Sequence, residues 1–181
     1  MRVVAALVFI ALAGCASAHP GIDRGTDQPV RIVGAGGSGQ LRMTSSDVAK
    51  PTIVAFPTDR VWSALKVVYD SLEIPKDNLD DAQHVIGHSG VKVHRRLGII
   101  PLTRIIDCGS TQGTPSAETY DIQIAVLTHL TPGAGGTTNV TTQVEAVGRP
   151  MAFSGEYVRC STKGVLETTL VDAVKTRLMA P

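Results

Sequence analysis

The chain has few aromatic residues, few cysteines and no excess of charge. Aromatic residues make up 4% of its 181 positions, three residues are cysteine, and 17 basic residues are balanced by 16 acidic ones. This balance argues against nucleic acid as a partner, because binding to phosphates requires a clustered positive field. Beyond the first 14 residues, no apolar run approaches the length of a membrane-spanning helix.

Catalytic signatures with their required spacing are also lacking. The sequence has no G-x-S-x-G elbow, no metal-ligand spacing and no paired acids beside an obvious base. Gly34–Gly39 fits G-x-G-x-x-G, but residues 40–47 are too short and polar for the helix that a dinucleotide-binding turn requires. We therefore expect a protein that is not an enzyme and has no cofactor or metal. An enzyme whose site is assembled from distant residues is a further alternative.

The composition is that of one globular domain. Hydrophobic residues make up 43% of the chain and charged residues 18%, which is typical of a folded protein and not of a disordered one. Residues 16–50 are rich in Gly, Ser, Asp and Thr, and we interpret them as a flexible tether spanning roughly 30 Å. A single folded domain is expected over residues 51–181.

The first residues have the pattern of an export signal. Arg2 precedes Val3–Ala13, an apolar segment of the length found in signal peptides. It ends in Leu12-Ala13-Gly14-Cys15, which resembles the lipobox of bacterial lipoproteins. This resemblance implies that residues 1–14 are removed and that Cys15 carries the acyl chains, palmitate among them. Ala16–Ala18 also matches ordinary secretory cleavage, which would instead release a soluble protein.

The cysteine count agrees with an anchored, exported protein. If Cys15 is acylated, Cys108 and Cys160 remain as an even pair in an oxidising compartment, and we expect them to form a structural disulfide. The lipoprotein resemblance also bears on location. Ala16 stands where inner-membrane lipoproteins commonly have Asp, so we expect an outer-membrane protein that faces the periplasm.

Hydrophobic periodicity predicts five strands and two helices. The predicted strands cover residues 52–56, 83–87, 91–97, 120–130 and 139–146, with the second and third joined as a hairpin at His88–Gly90. The first helix begins with Thr58 as its N-cap and ends at Pro75. The second begins near Ser161 or Thr162 and ends near Leu178. The resulting order, β-α-β-β-β-β-α, predicts an α+β fold with an antiparallel sheet and both helices on one face.

One short motif in the first helix resembles two known groups. Pro57–Leu65 reads Pro-Thr-Asp-Arg-Val-Trp-Ser-Ala-Leu and looks like the Val-Trp-x-Ala-Leu helix of helix-grip folds. One group is the BamC-type lipoproteins, which join the outer-membrane barrel-assembly machinery. The other is the START-like domains, which hold hydrophobic ligands between the sheet and the terminal helix. The resemblance implies a helix-grip-like fold for residues 51–181.

Two polar groups in the middle of the chain are candidate sites. His84, His88 and His94 lie in the predicted hairpin, but the expected strand alternation turns His94 to the opposite face, so we do not expect a metal site. Lys92, His94, Arg95, Arg96 and Arg104 form the most basic segment. These residues contact anionic lipid or saccharide phosphates in one interpretation, and protect a solvated edge strand in the other.

The sequence therefore predicts a membrane-anchored envelope lipoprotein whose domain is a non-catalytic interaction or assembly module. Its expected partners are the lipid bilayer, through Cys15, and another envelope protein. A hydrophobic-ligand carrier with a START-like cavity is the alternative from a different class, because apolar strands predict a packed core and a lipid cavity equally well.

Overall fold

The computed structural model describes residues 50–151 and 155–180. The predicted signal peptide, Cys15 and most of the predicted tether lie outside the described residues. Within them, four α-helices and eleven strands occur. In chain order these are β1 (Thr52–Val54), α1 (Thr58–Ser71), β2 (Asn78–Asp80), β3 (Val85–Val93), β4 (Arg96–Leu97), β5 (Ile100–Pro101), α2 (Leu102–Ile105), β6 (Ile106–Asp107), β7 (Ser110–Thr111), β8 (Thr114–Pro115), α3 (Ser116–Thr119), β9 (Tyr120–Pro132), β10 (Thr138–Pro150), β11 (Val158–Thr162) and α4 (Val165–Met179).

The main sheet has seven strands, and all of its pairs are antiparallel. The strand order is β2-β3-β9-β10-β11-β6, and β1 also pairs with β10. Helices α1 and α4 contact each other and share one core with the sheet. The predicted α+β class, with an antiparallel sheet and helices packed against it, is confirmed.

The long hairpin of β9 and β10 forms the centre of the sheet, as the alternating pattern predicts. Its register is continuous from Tyr120 opposite Pro150 to Pro132 opposite Thr138. On the helix side, Ile122, Ile124 and Val126 are buried, and the predicted inward face is confirmed. Successive side chains of a strand point to opposite faces of the sheet, so the residues between these three project away from the helices. Here the second face carries a small separate cluster around Ala125.

Helix α1 covers one face of the sheet with the predicted apolar stripe. Val61, Trp62, Leu65, Val68 and Tyr69 are all buried. Its ends differ from the prediction. Pro57 precedes the first helical residue without a side-chain cap, and the helix stops at Ser71, before the proline that was expected to end it. The hydroxyl of Thr58, the predicted N-cap, accepts a hydrogen bond from Thr138 Oγ1 at 3.3 Å instead.

The predicted hairpin at His88–Gly90 is wrong. Residues 85–93 form the single strand β3, and the register with β9 shifts between His88 and Val91, so this segment is a β-bulge. The bulge leaves backbone N–H groups without a ladder partner. Two of them are satisfied by side chains: Asp77 Oδ1 accepts from Ser89 N at 2.9 Å, and His88 Nδ1 accepts from Gly90 N at 3.0 Å.

Residues 94–119 contain seven short elements, β4 to β8 together with α2 and α3, where the sequence predicts only the end of a strand. They bury Leu97, Ile100, Leu102, Ile105 and Ile106 in the same core as the two long helices. Gly98, at the turn between β4 and β5, has φ of 56°, and a Cβ there would lie 2.0 Å from the carbonyl oxygen of Leu72. This close approach requires glycine, because both the backbone angle and the contact exclude a side chain.

Two predicted boundaries near the chain ends are also corrected. Ser161 and Thr162 belong to β11, and α4 begins at Val165 after Gly164, which has φ of 73°. Thr162 pairs with Ile106, a long-range contact that local periodicity cannot reveal. The first strand covers only residues 52–54. Because it lies at the sheet edge, only Val54 is buried, and Ile53 is 64% exposed.

Candidate functional site

The predicted bond between Cys108 and Cys160 is present in the structure. It joins residues that are 52 positions apart in the sequence. Cys108 follows β6, and Cys160 lies within β11, which pairs with β6 on one side and with β10 on the other. The bond therefore fastens one end of the sheet covalently. Both cysteines are half-buried against the core.

The predicted basic residues lie on the surface. Lys92, Arg95, Arg96 and Arg104 are all exposed, and none of the four has an ion pair among the described residues. Ile99, in the turn between β4 and β5, is 48% exposed beside them in the chain. Beyond the pair Asn78–Gly87, β3 has no second strand partner in the described part of the chain, so Lys92 lies on a strand edge without such a partner. Both sequence interpretations, the anionic contact and the protected edge, stay predictions.

The three histidines of this region have separate surroundings. His84 has its ring centroid 5.4 Å from that of Trp62, and its Nε2 lies 3.8 Å from Asp59 Oδ1. His88 is held at the bulge, and His94 is exposed beyond the end of β3. Among residues 50–151 and 155–180, no group of three or more His, Cys, Asp or Glu side chains is placed to hold a metal ion.

Trp62 lies at the edge of the core, next to the charged side chains of Lys66 and Asp81. Its Nε1 donates to Asp81 Oδ1 at 2.7 Å, and Lys66 Nζ donates to the same oxygen at 2.9 Å. These two hydrogen bonds hold the pKa of Asp81 below its usual value. The contacts tie α1 to the turn before β3. They give Trp62 a structural role, as its place in the apolar stripe predicts.

The bulge in β3 is fixed by one carboxylate. Asp77 accepts from both the backbone N–H and, at 2.7 Å, the hydroxyl of Ser89, and His88 Nδ1 lies 3.6 Å from Asp77 Oδ2. Partial burial raises the pKa of Asp77, but the hydrogen bonds from the hydroxyl and the backbone N–H of Ser89 outweigh it, and the pKa lies below its usual value. Because Ser89 donates to the carboxylate and not to the histidine, this group does not have the geometry of an activated nucleophile.

A groove of about 430 Å³ opens beside the disulfide. It forms because β11 pairs with β10 only from Ala146 to Gly148 and then turns to β6. The side chains that line it come from β10, β11 and the first turn of α4: Thr142, Val144, Glu145, Ala146, Arg159, Cys160, Ser161, Thr162 and Glu167. Because charged, polar and apolar side chains from three elements line this groove, we take it as the candidate interaction site.

The charged groups of the groove have distinct partners. Glu145 is 7% exposed and lies 3.8 Å from Arg159, measured from Oε1 to NH2. Glu167 accepts at Oε1 from the Thr162 hydroxyl at 2.8 Å, while its Oε2 is buried without a hydrogen-bond partner among the described residues. The groove therefore contains one ion pair, between Glu145 and Arg159, and one carboxylate, Glu167, that accepts from a neighbouring hydroxyl.

The floor of the groove connects to a buried chain of hydroxyl groups. Thr142 Oγ1 lies 2.9 Å from Thr128 Oγ1, which lies 2.8 Å from the Tyr69 hydroxyl. Burial raises the pKa of Tyr69, although the hydrogen bond with Thr128 lowers it in part, so the tyrosine stays neutral and can donate. Each hydroxyl in this chain has a partner, which is the condition for burying polar groups at low cost.

The space between the sheet and the two long helices is filled by side chains. Fully buried residues from the sheet, α1 and α4 meet there, including Leu65, Tyr69, Ile86, Ile122, Ile124, Leu130, Leu166 and Leu170. A ligand carrier requires an unfilled apolar cavity at this position. The packing of these residues therefore favours an interaction at the surface over a ligand in the interior.

Sequence reasoning missed the groove for a clear reason. Arg159 lies between the last predicted strand and the last predicted helix, which already includes Glu167, and the pairing of β11 with β10 and β6 is a long-range contact. The alternation of Val158, Cys160 and Thr162 with polar residues is the one local signal that could have indicated a strand.

No protein-family model matches the chain, and no curated protein matches it. No helix in the described part of the chain is long and apolar enough to cross a membrane.

Proposed function

We propose that this protein is an acyl-anchored lipoprotein of the cell envelope, held at the outer membrane through Cys15 and facing the periplasm. The observation that carries the proposal is the disulfide between Cys108 and Cys160. It uses two of the three cysteines of the chain and leaves Cys15, the cysteine of Leu12–Cys15, as the third. Disulfides are typical of exported proteins, since cytosolic thiols are kept reduced.

The folded domain acts as a non-catalytic interaction or assembly module. Three features support this part of the proposal: a filled interior, charged groups with structural partners, and a polar groove at one end of the sheet. A module held at a membrane needs only an anchor, a linker and an accessible surface. The partner we expect is another protein of the envelope, as in the BamC-type lipoproteins that the first helix resembles.

Metabolic labelling with a clickable fatty acid tests the anchor. We expect the wild-type protein to be labelled and Cys15→Ala to be unlabelled, because acylation requires the Cys15 thiol. The Cys108→Ala/Cys160→Ala double variant is the matched control, and it should be labelled like the wild type. Equal labelling of wild type and Cys15→Ala, or no labelling of either, would contradict the proposal.

Co-purification of the anchored protein under mild detergent then addresses the module. We expect a stoichiometric envelope protein to accompany the wild type. Detection of a bound lipid by mass spectrometry, with no protein at comparable stoichiometry, would instead favour the carrier.

A further inference from the structure

The segment that follows β3 carries basic side chains that the fold brings together. Residues 82–106 contain no Asp or Glu, and their Lys and Arg residues are Lys92, Arg95, Arg96 and Arg104. Arg96 pairs with Pro101, directly before α2. Arg95 O accepts from the N–H of Leu102, the first residue of α2, at 2.8 Å. Arg95 and Arg96 therefore lie close to the helix that carries Arg104.

A further basic residue joins them from a distant part of the chain. Lys163, between β11 and α4, donates from Nζ to Thr103 O at 2.7 Å, and its backbone N donates to Ile105 O at 2.8 Å. Because Thr103 and Ile105 flank Arg104, the exposed side chains of Lys163 and Arg104 are neighbours. We call Arg95, Arg96, Arg104 and Lys163 the basic surface.

The charges of the basic surface have no acidic partner within residues 50–151 and 155–180, since none of its four side chains forms an ion pair there. Two acids at its border have other neighbours: Asp107 Oδ1 accepts from Gly109 N at 2.8 Å, and Asp121 lies directly opposite Arg149. Glu73 is exposed near the turn between β4 and β5, but one carboxylate does not balance four cations. The surface therefore favours an anionic partner.

An apolar side chain is exposed on the same hairpin. Leu97 and Ile100 are opposite each other in β4 and β5 and are both buried, so this face of the hairpin points into the core. Arg96 is exposed, and Ile99, at the tip, is 48% exposed. Ile99 N donates to Leu72 O at 3.2 Å, which holds the tip against the end of α1. Cations beside an exposed aliphatic side chain suit an anionic lipid surface, where the cations contact headgroups and the side chain enters the interface.

The basic surface and the start of the domain lie at different ends of the sheet. β1 pairs with Thr138–Val140, whereas the end of β3 pairs with Ile122, which is opposite Gly148. Strand β10 runs about 27 Å from Val140 to Gly148 at the rise of an extended strand. A coil of the length of residues 16–50 spans roughly 30 Å on average. An anchor at Cys15 therefore permits the basic surface to reach the same bilayer.

We propose that the basic surface docks the domain on the anionic phospholipid headgroups of the membrane that holds the acyl anchor, with Ile99 at the interface. The acyl chains fix only Cys15, so docking gives the domain a defined orientation. Each Lys or Arg near such a surface shifts the equilibrium about fivefold. The tether keeps the headgroups at a high local concentration. This inference rests on the anchoring proposed above and goes beyond it, because an anchored domain does not need to contact lipid.

Brominated lipids test the docking with a tryptophan at either end of the sheet. Acylated protein with Ile99→Trp is compared with Ile53→Trp, the matched control on β1, where the side chain is 64% exposed. The vesicles contain brominated phosphatidylcholine alone or with about one-third phosphatidylglycerol. We expect the fluorescence of Ile99→Trp to be quenched on the anionic vesicles only, and that of Ile53→Trp to be equal on both. Trp62 is buried and adds the same background to each.

Charge variants separate the basic surface from the net charge of the protein. In the Ile99→Trp protein, Arg96→Gln/Arg104→Gln should lower the docking equilibrium about 25-fold, so that quenching falls to its level on neutral vesicles. Arg60→Gln/Arg177→Gln, at exposed positions on α1 and α4, makes the same change in net charge and should keep the quenching. Salt at about 0.5 M should also end docking, because it shortens the Debye length to about 4 Å.

Hydrogen exchange of the wild type needs no substitution. The amides of residues 95–104 should exchange more slowly on anionic vesicles than on neutral ones, while those of β1 should be equal on both. Equal quenching of Ile99→Trp on the two vesicle types, equal losses in the two double variants, or unchanged exchange would overturn the proposal. Release by glucose 1-phosphate at constant ionic strength would also overturn it and assign the surface to a saccharide phosphate.

The anchor is tested separately in the same samples. Flotation with neutral vesicles reports acylation, because those vesicles offer no charge to the basic surface. Protein that floats only with anionic vesicles, and is quenched there at Ile99→Trp, would contradict the anchor and support the basic surface. Protein that floats with both and is quenched on neither would support the anchor and contradict the docking.

Discussion

The two sides of β10 are built in different ways. On one side, β9 pairs with it without interruption over 13 residues, through a tight turn of the same chain segment. On the other side, β1 and β11 each contribute three residue pairs, one set at each end of the strand. The first side is a local hairpin, whereas the second is assembled from segments that are far apart in the sequence.

This difference explains where a covalent bond is placed. A long hairpin with a buried face is stabilised by many adjacent cross-strand pairs. Strand β11 has few such pairs, and it gains a second strand, β6, and the bond between Cys108 and Cys160. The same weak pairing leaves the groove open. A sheet end that is incompletely paired is the place where we expect both a need for stabilisation and room for a partner.

The strongest test of this comparison removes the bond. We expect Cys108→Ala/Cys160→Ala to lower the free energy of unfolding by about 2–4 kcal/mol, because the bond restricts a long loop in the unfolded chain. Denaturant unfolding of the full chain measures the change. Hydrogen exchange should accelerate first at β6 and β11, before it accelerates in the β9–β10 hairpin.

The control for that test is Cys15→Ala, which takes no part in the bond and should leave the free energy of unfolding unchanged. An unchanged midpoint in the double variant would show that the sheet end needs no covalent support. Uniform acceleration of exchange in all strands would show that the two sides of β10 unfold together.

The buried hydroxyl chain provides a test of intermediate size, because it joins the core to the floor of the groove. We expect Tyr69→Phe to cost about 1–2 kcal/mol, since the Thr128 hydroxyl would lose a buried partner. Thermal or denaturant unfolding gives the value. Tyr157→Phe is the matched control: Tyr157 is half-buried under Arg149, and the variant keeps the ring that this contact uses. If Tyr69→Phe and Tyr157→Phe change the free energy of unfolding equally, the hydroxyl chain does not stabilise the fold.

The smallest expected effect concerns the bulge of β3, the other point where the sheet departs from a regular ladder. Here the Asp77 carboxylate accepts a hydrogen bond from a backbone N–H of the bulge, and no covalent bond is involved. We expect Asp77→Asn to destabilise the fold by about 0.5–1 kcal/mol near neutral pH, because the site is partly exposed to water.

The pH dependence of this difference has a definite sign. Because the pKa of Asp77 is lowered in the folded protein, its contribution is present above the pKa of the unfolded state. The contribution is lost as the pH falls through the lower pKa of the folded state. Melting temperatures of wild type and Asp77→Asn should therefore converge in acid. Asp172→Asn, at an exposed position on α4, should show no such convergence, and a constant difference for Asp77→Asn would refute the assignment.

Several elements could be predicted from the sequence because their signals are local. The stripe from Val61 to Tyr69 identifies α1 and its buried face, and strict alternation identifies β9 and β10 with the correct inward residues. The disulfide followed from counting cysteines together with the lipobox. The helix and the strands could be predicted because their burial pattern repeats within a few residues. The disulfide could be predicted because the chain has only three cysteines.

The predictions from the sequence are wrong where a long-range contact determines the secondary structure. Ser89-Gly90 has the composition of a turn, but pairing with β9 on both sides of it and the hydrogen bonds to Asp77 make it a bulge within one strand. Ser161 and Thr162 are good helix-start residues in isolation. They become part of β11 because Cys160, Ser161 and Thr162 find partners in β10 and β6. Helix-start propensity is worth about 1 kcal/mol, which strand pairing and a disulfide readily exceed.

The sequence by itself determined the α+β class, the two long helices and the central hairpin, because apolar periodicity reports directly which face of an element is buried. Only the tertiary structure decided how β1, β6 and β11 complete the sheet, and therefore where the groove beside the disulfide lies. These strands pair with segments that are far apart in the sequence, and no local pattern records such a contact.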